Sequence, residues 1–304
     1  MKIIHIILVS LLLGMAFNST SHAQLKVETT TQDLAAIAKA IGGKHIDVNS
    51  LTPGTRDPHF AVAKPSMIRR VNRADLLLVI GAELEAGWLP SLLQSARNSK
   101  IQAGQSGFLD LSQTIDLLGK HNVPVSRAMG DVHASGNPHY WLDPRNGIKI
   151  ATAISQRLAQ LDPANINDYQ SNLKTFKAGL EKKYQQWLSE LSYLKNQPVI
   201  AYHTSFIYLA HAFGFKIVDE VEPKPGISPS ASSLGKLIRN IKQKKIILLI
   251  MEPYYEQRSV KYLKDKTGIR IAVLPQSVGA KEHIKYYFDL FDAIVKELNN
   301  KDSQ

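Results

Sequence analysis

The sequence predicts an α/β protein of two lobes, each with a mostly parallel sheet flanked by helices, joined by one long backbone helix. Two blocks of the chain alternate short apolar segments, typical of strands, with segments of helical periodicity. Between the blocks, residues 165–194 keep helical periodicity without a break. Alternating strands and helices favour parallel sheets, because a crossover helix is needed to start each new strand from the same end of the sheet.

The N-terminal lobe is predicted at residues 24–164. Its clearest strand runs from Ala74 to Gly81 and is almost continuously apolar, as in a parallel strand that is covered on both faces. Gly42 and Gly43 end the first predicted helix, and Pro65 begins the second. Strands are predicted at 25–30, 46–51 and 74–81, and helices at 31–41 and 65–72.

The C-terminal lobe is predicted at residues 195–304 and follows the same logic. Gly214 and Gly268 each end a helical segment just before an apolar strand. Strands are predicted at 198–202, 215–218, 246–251 and 271–274, and helices at 206–213, 232–242, 260–267 and 281–298.

The linking helix is predicted at residues 165–194, which contain no proline and only one glycine, Gly179. At 1.5 Å per residue, a helix of this length spans about 45 Å. We expect it to restrain the movement of one lobe against the other. Open α/β sheets bind ligands beyond the carboxyl ends of their strands, so the site is expected in the cleft between the lobes. Apolar or aromatic side chains recur at helical spacing at Tyr169, Leu173, Phe176, Leu180, Tyr184, Trp187, Leu188 and Leu191.

Residues 1–23 have the organisation of a secretory signal peptide. Lys2 precedes an apolar run at 3–17, and Ser21-His22-Ala23 matches the small-residue pattern of a cleavage site. A membrane anchor is the alternative, but the run is shorter than the roughly 20 residues that a span needs. We expect a periplasmic chain that begins at Gln24. Because the sequence contains no cysteine, we expect neither a lipid anchor nor disulfides nor thiolate metal ligands.

The composition is that of an ordinary globular protein, with 44% hydrophobic and 21% charged residues. The net charge of +11 comes from basic residues scattered along amphipathic segments, without the interleaved aromatic residues of a single-strand binder. We therefore expect no nucleic-acid partner. We also expect the chain to be monomeric.

Three histidines lie in turn-like contexts: His59, His139 and His203. The first two follow prolines, which restrict the local backbone. Neutral imidazole is the commonest protein metal ligand, and three imidazoles brought together suit Zn²⁺. A single histidine after proline is more often a plain turn residue. His203 follows the strand predicted at 198–202, on the side where open sheets bind their ligands.

Several motifs together resemble the cluster A-I substrate-binding proteins of metal ABC transporters. They are Asp57-Pro58-His59, the string from Asn137 to Pro144, the His203 segment, residues 225–230 and Met251-Glu252-Pro253. The resemblance covers essentially the whole mature chain. It implies His59, His139 and His203 as metal ligands, and an ABC permease of a metal importer as the partner. A histidine in the third position favours zinc over manganese, which prefers oxygen ligands, with iron a further possibility.

The fourth ligand of that family is a carboxylate after the last strand, where this chain has Gln276. Gln276 or water is the first alternative for the fourth position, Glu252 the second, and a three-coordinate site the third. His133 is an auxiliary candidate, although a solvated loop histidine is the favoured interpretation. Asp57 is interpreted as an acceptor that orients an imidazole or as a turn cap. The remaining histidines considered, interpreted as structural or exposed, are His45, His121, His211 and His283.

The expected function is capture of a divalent metal, with zinc favoured, and its delivery to an ABC permease. A zinc held by three histidines with an open fourth position is also the arrangement of a hydrolytic enzyme. The sequence contains neither a Gly-x-Ser-x-Gly elbow nor a His-Glu-x-x-His helix, so we expect no enzyme. A metal-binding adhesin or metallochaperone on the same scaffold is the other alternative.

Overall fold

A computed structural model describes residues 23–120, 133–222, 224 and 226–300. The predicted signal peptide lies outside these residues except for Ala23, and so does His121. In the described part of the chain, no helix has the length and apolar character needed to cross a membrane.

The N-terminal sheet consists of four parallel strands in the order β2-β1-β3-β4. The strands are β1 (Leu25–Thr29), β2 (Ile46–Ser50), β3 (Leu76–Val79) and β4 (Phe108–Asp110). The helices of this lobe are α1 (Gln32–Gly42), α2 (Pro65–Asn72), α3 (Leu89–Ala96) and α4 (Pro144–Leu161).

The C-terminal sheet repeats this arrangement, with four parallel strands in the order β6-β5-β7-β8. The strands are β5 (Pro198–Ala201), β6 (Lys216–Glu220), β7 (Leu248–Met251) and β8 (Arg270–Val273). The helices are α6 (Ile207–Phe213), α7 (Ala231–Lys244), α8 (Arg258–Thr267) and α9 (Tyr287–Asn299). The predicted fold class, two parallel α/β sheets flanked by helices, is confirmed.

The linking helix α5 (Ile166–Glu190) has 25 residues, fewer than the sequence predicts. A separate helical turn follows at Ser192–Leu194. Leu191 and Leu194 are both only 1% exposed, so the chain leaves the helix where it turns these side chains into the core.

Further differences concern elements that the sequence analysis misses or places too early. It predicts neither α3 nor β4. It misses α4, although Asp143 caps this helix by accepting a hydrogen bond from the Arg145 amide and Pro144 occupies its first turn. The terminal helix begins at Tyr287 and not near residue 281. Asp289 accepts hydrogen bonds from the amides of Lys285 and Tyr286 and so defines this start.

One hydrophobic core extends through both lobes. It includes Val27 and Leu78 from the first sheet, Val199 and Ile250 from the second, and Trp187 from α5. A core that continues from lobe to lobe opposes wide hinge opening, because separation would expose close-packed apolar surface to water. The site between the sheets is therefore expected to change by small shifts of loops.

Candidate metal centre

His59 lies in the loop between β2 and α2, and Asp57 sets its orientation. The Oδ1 of Asp57 accepts hydrogen bonds from the His59 amide at 2.9 Å and from the ring Nδ1 at 2.7 Å. Burial opposes ionisation of Asp57, but the hydrogen bonds and charge of His59 outweigh it and lower the pKa of the carboxyl. Trp88 steadies the turn by donating to the Pro58 carbonyl at 3.1 Å.

The His59 loop also packs against the C-terminal lobe at Gly54. A Cβ atom at this position would stand 1.9 Å from the carbonyl oxygen of Val278, so only glycine fits. Asp33 of α1 strengthens this contact by accepting hydrogen bonds from Ser277 at 2.5 Å and from the Val278 amide at 3.0 Å. The loop that carries His59 is thereby tied to the segment that follows β8.

His139 stands in a turn that repeats the geometry at His59. The Oδ1 of Asn137 accepts from the His139 amide and from the ring Nδ1, both at 3.0 Å. The Nδ2 of Asn137 donates to the Thr204 carbonyl at 3.0 Å and so reaches the C-terminal lobe. His139 is 1% exposed. Burial and the nearby histidine charges hold its pKa well below the usual range, so the ring stays neutral.

Two aromatic residues after His139 fix its backbone between the lobes. Tyr140 donates to the Ile80 carbonyl at 2.6 Å, and Trp141 donates to the Gln276 carbonyl at 2.9 Å. Tyr287 in turn donates to the Trp141 carbonyl at 2.5 Å. The sequence analysis assigns no role to the hydroxyls of Tyr140 and Tyr287, because the carbonyls that accept from them lie far away along the chain.

His203 follows β5 directly and is 4% exposed. Its Nδ1 lies 2.8 Å from the Oε2 of Glu222, which also accepts a hydrogen bond from the Gly226 amide at 3.0 Å. Burial lowers the pKa of His203, but the hydrogen bond that its ring donates to Glu222 and the charges of Glu252, Glu222 and Asp57 outweigh it. The net effect raises the pKa above its ordinary value.

The structure brings the three predicted imidazoles together. The ring centroids of His59 and His139 are 5.1 Å apart, those of His139 and His203 are 5.9 Å apart, and those of His59 and His203 are 6.3 Å apart. In each ring the Nδ1 faces an oxygen acceptor, so Nε2 is the nitrogen that could bind a metal.

A closed coordination shell is not yet formed. Within residues 23–120, 133–222 and 226–300, no three His, Asp or Glu side chains already stand in metal-binding positions. Two Nε2 ligands of a tetrahedral zinc, at the usual Zn–N lengths, place their ring centroids about 5.2 Å apart. The His59–His139 pair has this spacing, and His203 stands roughly 1 Å too far from both rings. A small inward shift of His203 would complete the group.

His133 is the main correction to the sequence analysis, which favours a solvated loop residue. Its Nε2 lies 3.2 Å from the Nε2 of His59, and the two ring centroids are 5.3 Å apart. Burial and the charges of His59 and His203 lower its pKa to about 3, so this ring is neutral as well.

The two oxygen candidates for the fourth position have different surroundings. Gln276 is 3% exposed, and its side-chain oxygen accepts a short hydrogen bond from Tyr254. Glu252 is fully buried beside His203; burial raises its pKa to about 7, and the charge of His203 moderates this. Neither carboxylate oxygen of Glu252 has a hydrogen-bond partner of good geometry in the described chain, and the groups that influence them include His203, Ser205 and the amide of Glu252 itself. Neither residue has a hydrogen bond to an imidazole among the described contacts.

The other described histidines lie elsewhere, as the sequence predicts. His45 pairs with Asp168 at 2.7 Å, His211 contacts Arg145 at 2.8 Å, and His283 is exposed.

Comparison with known proteins identifies the family. The family model described as ZnuA, zinc-uptake complex component A, periplasmic, matches residues 27–301. The chain belongs to this family. It is 26% identical to the high-affinity zinc uptake system protein ZnuA of Yersinia pestis, over 87% of this chain and 86% of that protein. It is also 26% identical to the manganese ABC transporter substrate-binding lipoprotein PsaA of Streptococcus pneumoniae, over 89% of this chain and 87% of that protein.

A solved structure supports the same assignment. The crystal structure of a ZnuA superposes with a TM-score of 0.77 at 25% identity and covers 91% of this chain and 99% of that one. The family is one of metal ABC transporter substrate-binding proteins, not enzymes. This confirms the predicted family and the expectation that the chain is not an enzyme. Its relatives are named for zinc and for manganese at the same level of identity, so membership alone leaves the metal open.

Proposed function

We propose that this protein captures a divalent metal, preferentially Zn²⁺, outside the cytoplasmic membrane and delivers it as a monomer to an ABC permease. One observation carries the proposal. His59, His139 and His203 converge from three distant segments, and each presents its Nε2 while an oxygen holds its Nδ1. Such outer partners fix the ring orientation and raise the basicity of the ligand.

The preference for zinc follows from the type of ligand. Three imidazole nitrogens suit Zn²⁺, whereas Mn²⁺ favours carboxylate oxygens. The ligand set that the sequence analysis predicts is His59, His139, His203 and, in the fourth position, Gln276; our proposal here rests on the three histidines. The amide oxygen of Gln276 is a weaker ligand than the family's carboxylate, which further disfavours Mn²⁺. Fe²⁺ remains the third metal to be compared.

Delivery requires that the metal be released without wide opening of the lobes. The continuous core and α5 oppose such opening, whereas the ligand loops are held by a few hydrogen bonds across the cleft. We propose that docking on the permease shifts these loops and separates the imidazoles.

Metal binding to protein purified from the periplasm tests the proposal. Competition titrations with Zn²⁺, Mn²⁺ and Fe²⁺ should show zinc bound most tightly. His59→Ala, His139→Ala and His203→Ala should each lower zinc affinity at least about a hundredfold, because each removes a ligand and outer partners alone are worth 10- to 100-fold. The exposed His283→Ala is the matched control and should stay within about twofold. Wild-type affinity in His139→Ala would refute the site, and tighter binding of Mn²⁺ would refute the metal.

A further inference from the structure

We propose that His133 supplies the fourth nitrogen ligand, so that the metal is held by four imidazoles and Gln276 stays outside the shell. This rests on the metal site proposed above and concerns only its fourth position. The consequence is a site selective for metals that accept four nitrogen donors in a tetrahedron, which Zn²⁺ does and Mn²⁺ does not favour.

The distance between His133 and His59 is the first support. Two nitrogen ligands at 2.0–2.1 Å from a tetrahedral zinc are separated by about 3.3 Å. The Nε2 atoms of His133 and His59 are 3.2 Å apart, and their ring centroids are separated by 5.3 Å. This pair already has the spacing of two zinc ligands, and no other pair of rings in the cluster has its Nε2 atoms in direct contact in the described chain.

The hydrogen bonding of the pair fits two rings that can bind one metal. The Nδ1 of His59 donates to Asp57, which leaves the lone pair of that imidazole on Nε2. His133 must therefore donate its Nε2 hydrogen into that lone pair. When a metal takes both Nε2 atoms, His133 needs only to move its hydrogen to Nδ1, and neither ring has to travel far.

The segment that carries His133 is anchored. The carboxylate of Glu83, in the loop after β3, accepts from the Ala134 amide at 2.9 Å and from the Ser135 hydroxyl at 3.2 Å. Gly136 then takes φ +122°, and a Cβ there would lie 2.8 Å from Leu117. The chain directly after His133 is thus fixed at Ala134, Ser135 and Gly136, and the ring lies against His59.

The alternatives to His133 are already engaged or differently placed. The oxygen of Gln276 accepts from Tyr254, and its backbone carbonyl accepts from Trp141. Glu252 is fully buried, and no hydrogen bond joins its carboxylate to an imidazole in the described chain. Among the described side chains around His59, the imidazole of His133 is the donor best placed to complete the tetrahedron.

X-ray absorption at the zinc edge and zinc affinity, measured together on full-length mature protein, test this ligand. Wild type should show four imidazoles around zinc and His133→Ala three. His133→Ala should lose at least tenfold in zinc affinity and change little toward Mn²⁺, so the ratio of the two affinities falls. Thermal unfolding of the metal-free variant should match wild type, which excludes a general loss of structure.

His139→Ala, measured in parallel, separates this inference from the metal site itself. If His139→Ala loses zinc while His133→Ala binds within twofold of wild type, only the fourth ligand is wrong. Gln276→Ala and Glu252→Gln then show which oxygen replaces it. Three imidazoles in wild-type protein would also overturn the inference, even if His133→Ala binds weakly. If His139→Ala keeps zinc, the proposed function fails as well.

Glu83 is the positioning residue of this loop, and a double-mutant cycle tests it. Glu83→Ala should speed zinc dissociation several-fold in the wild-type background and have no further effect when His133 is already alanine. An equal effect in both backgrounds would mean that Glu83 acts on the fold and not through His133.

Discussion

Two turns of this molecule have the same sequence pattern and the same geometry but different chemistry. In Asp57-Pro58-His59 and Asn137-Pro138-His139, one side-chain oxygen accepts from both the amide and the ring of the histidine two residues later. At His59 that oxygen belongs to a carboxylate, and at His139 to an amide. Proline restricts the residue before it to extended backbone, which favours this Asx turn in both places.

The difference reflects what each turn does besides orienting a ring. The turn at His59 is half-buried, and a charge there increases the basicity of the ligand. The turn at His139 is buried, and Asn137 has a second partner, because its Nδ2 donates to the Thr204 carbonyl of the other lobe. An amide can accept from histidine and donate across the cleft at the same time, which an ionised carboxylate cannot do. The Asp57 turn thus acts on His59 through its charge, whereas the Asn137 turn also connects the two lobes.

Asn137→Asp should produce the largest effect of this comparison. It preserves the turn acceptor but faces the Thr204 carbonyl with a buried carboxylate in place of a donor, which costs about 2–3 kcal/mol of unfolding free energy at pH 7. The pKa of the new carboxyl would be raised in the folded state. Stability should therefore recover as the pH falls through that pKa, where the acid regains a hydrogen to donate.

Urea unfolding of the metal-free protein at pH 7 and pH 5 measures this, with wild type beside it at each pH. Asp116→Asn, at a fully exposed carboxylate, is the control and should change stability by less than about 0.5 kcal/mol. Asn137→Asp with wild-type stability at pH 7 would contradict a connecting role for the amide.

Asp57→Asn should affect metal binding more than stability. Asparagine retains the turn acceptor, as Asn137 does, but removes the charge behind His59. We expect zinc affinity to fall about tenfold, which is ~1.4 kcal/mol, the lower end of the range for loss of an outer partner. Competition titration measures the change, again with Asp116→Asn as control. A larger loss of stability than of affinity would show that the two turns have the same structural purpose.

Glu222→Gln extends the comparison to the third ligand and should have the smallest effect. Glu222 helps to raise the pKa of His203 above the ordinary histidine value. In wild type, protonation of His203 therefore begins to compete with zinc at a higher pH than it would for an ordinary histidine. His139 and His133, with lowered pKa values, stay neutral over the same range. Glu222→Gln lowers the pKa of His203 and moves this competition to lower pH.

Glu222→Gln should bind zinc a few-fold more weakly than wild type at pH 8, and the difference between the two affinities should become smaller as the pH approaches 6. Zinc titrations at intervals between these values, with the exposed Glu256→Gln as control, follow the difference. A gap that widens toward low pH would show that Glu222 does not set the protonation of His203.

Local features of the sequence account for the two α/β lobes and for the turns at His59 and His139. Apolar runs and helical periodicity indicate strands and helices, and the Asx-Pro-His pattern indicates a turn that orients a ring. The meeting of these two histidines with His203 was implied only by the family resemblance. The missed helix α4 was available in the same way, since Asp143 and Pro144 mark its start. Parallel strands then place residues such as His203, just after β5, at one edge of a sheet.

Which groups surround these three histidines depends on the tertiary structure. Glu222 reaches His203 from the segment that follows the neighbouring strand β6, Glu83 anchors the loop of His133 from 51 and 52 residues away, and His133 meets His59 across 74 residues. Such pairs leave no periodic pattern in the chain, because their geometry depends on how the lobes pack and not on local backbone preference. The same holds for the core, which joins the two lobes although each sheet has the periodicity of an independent unit.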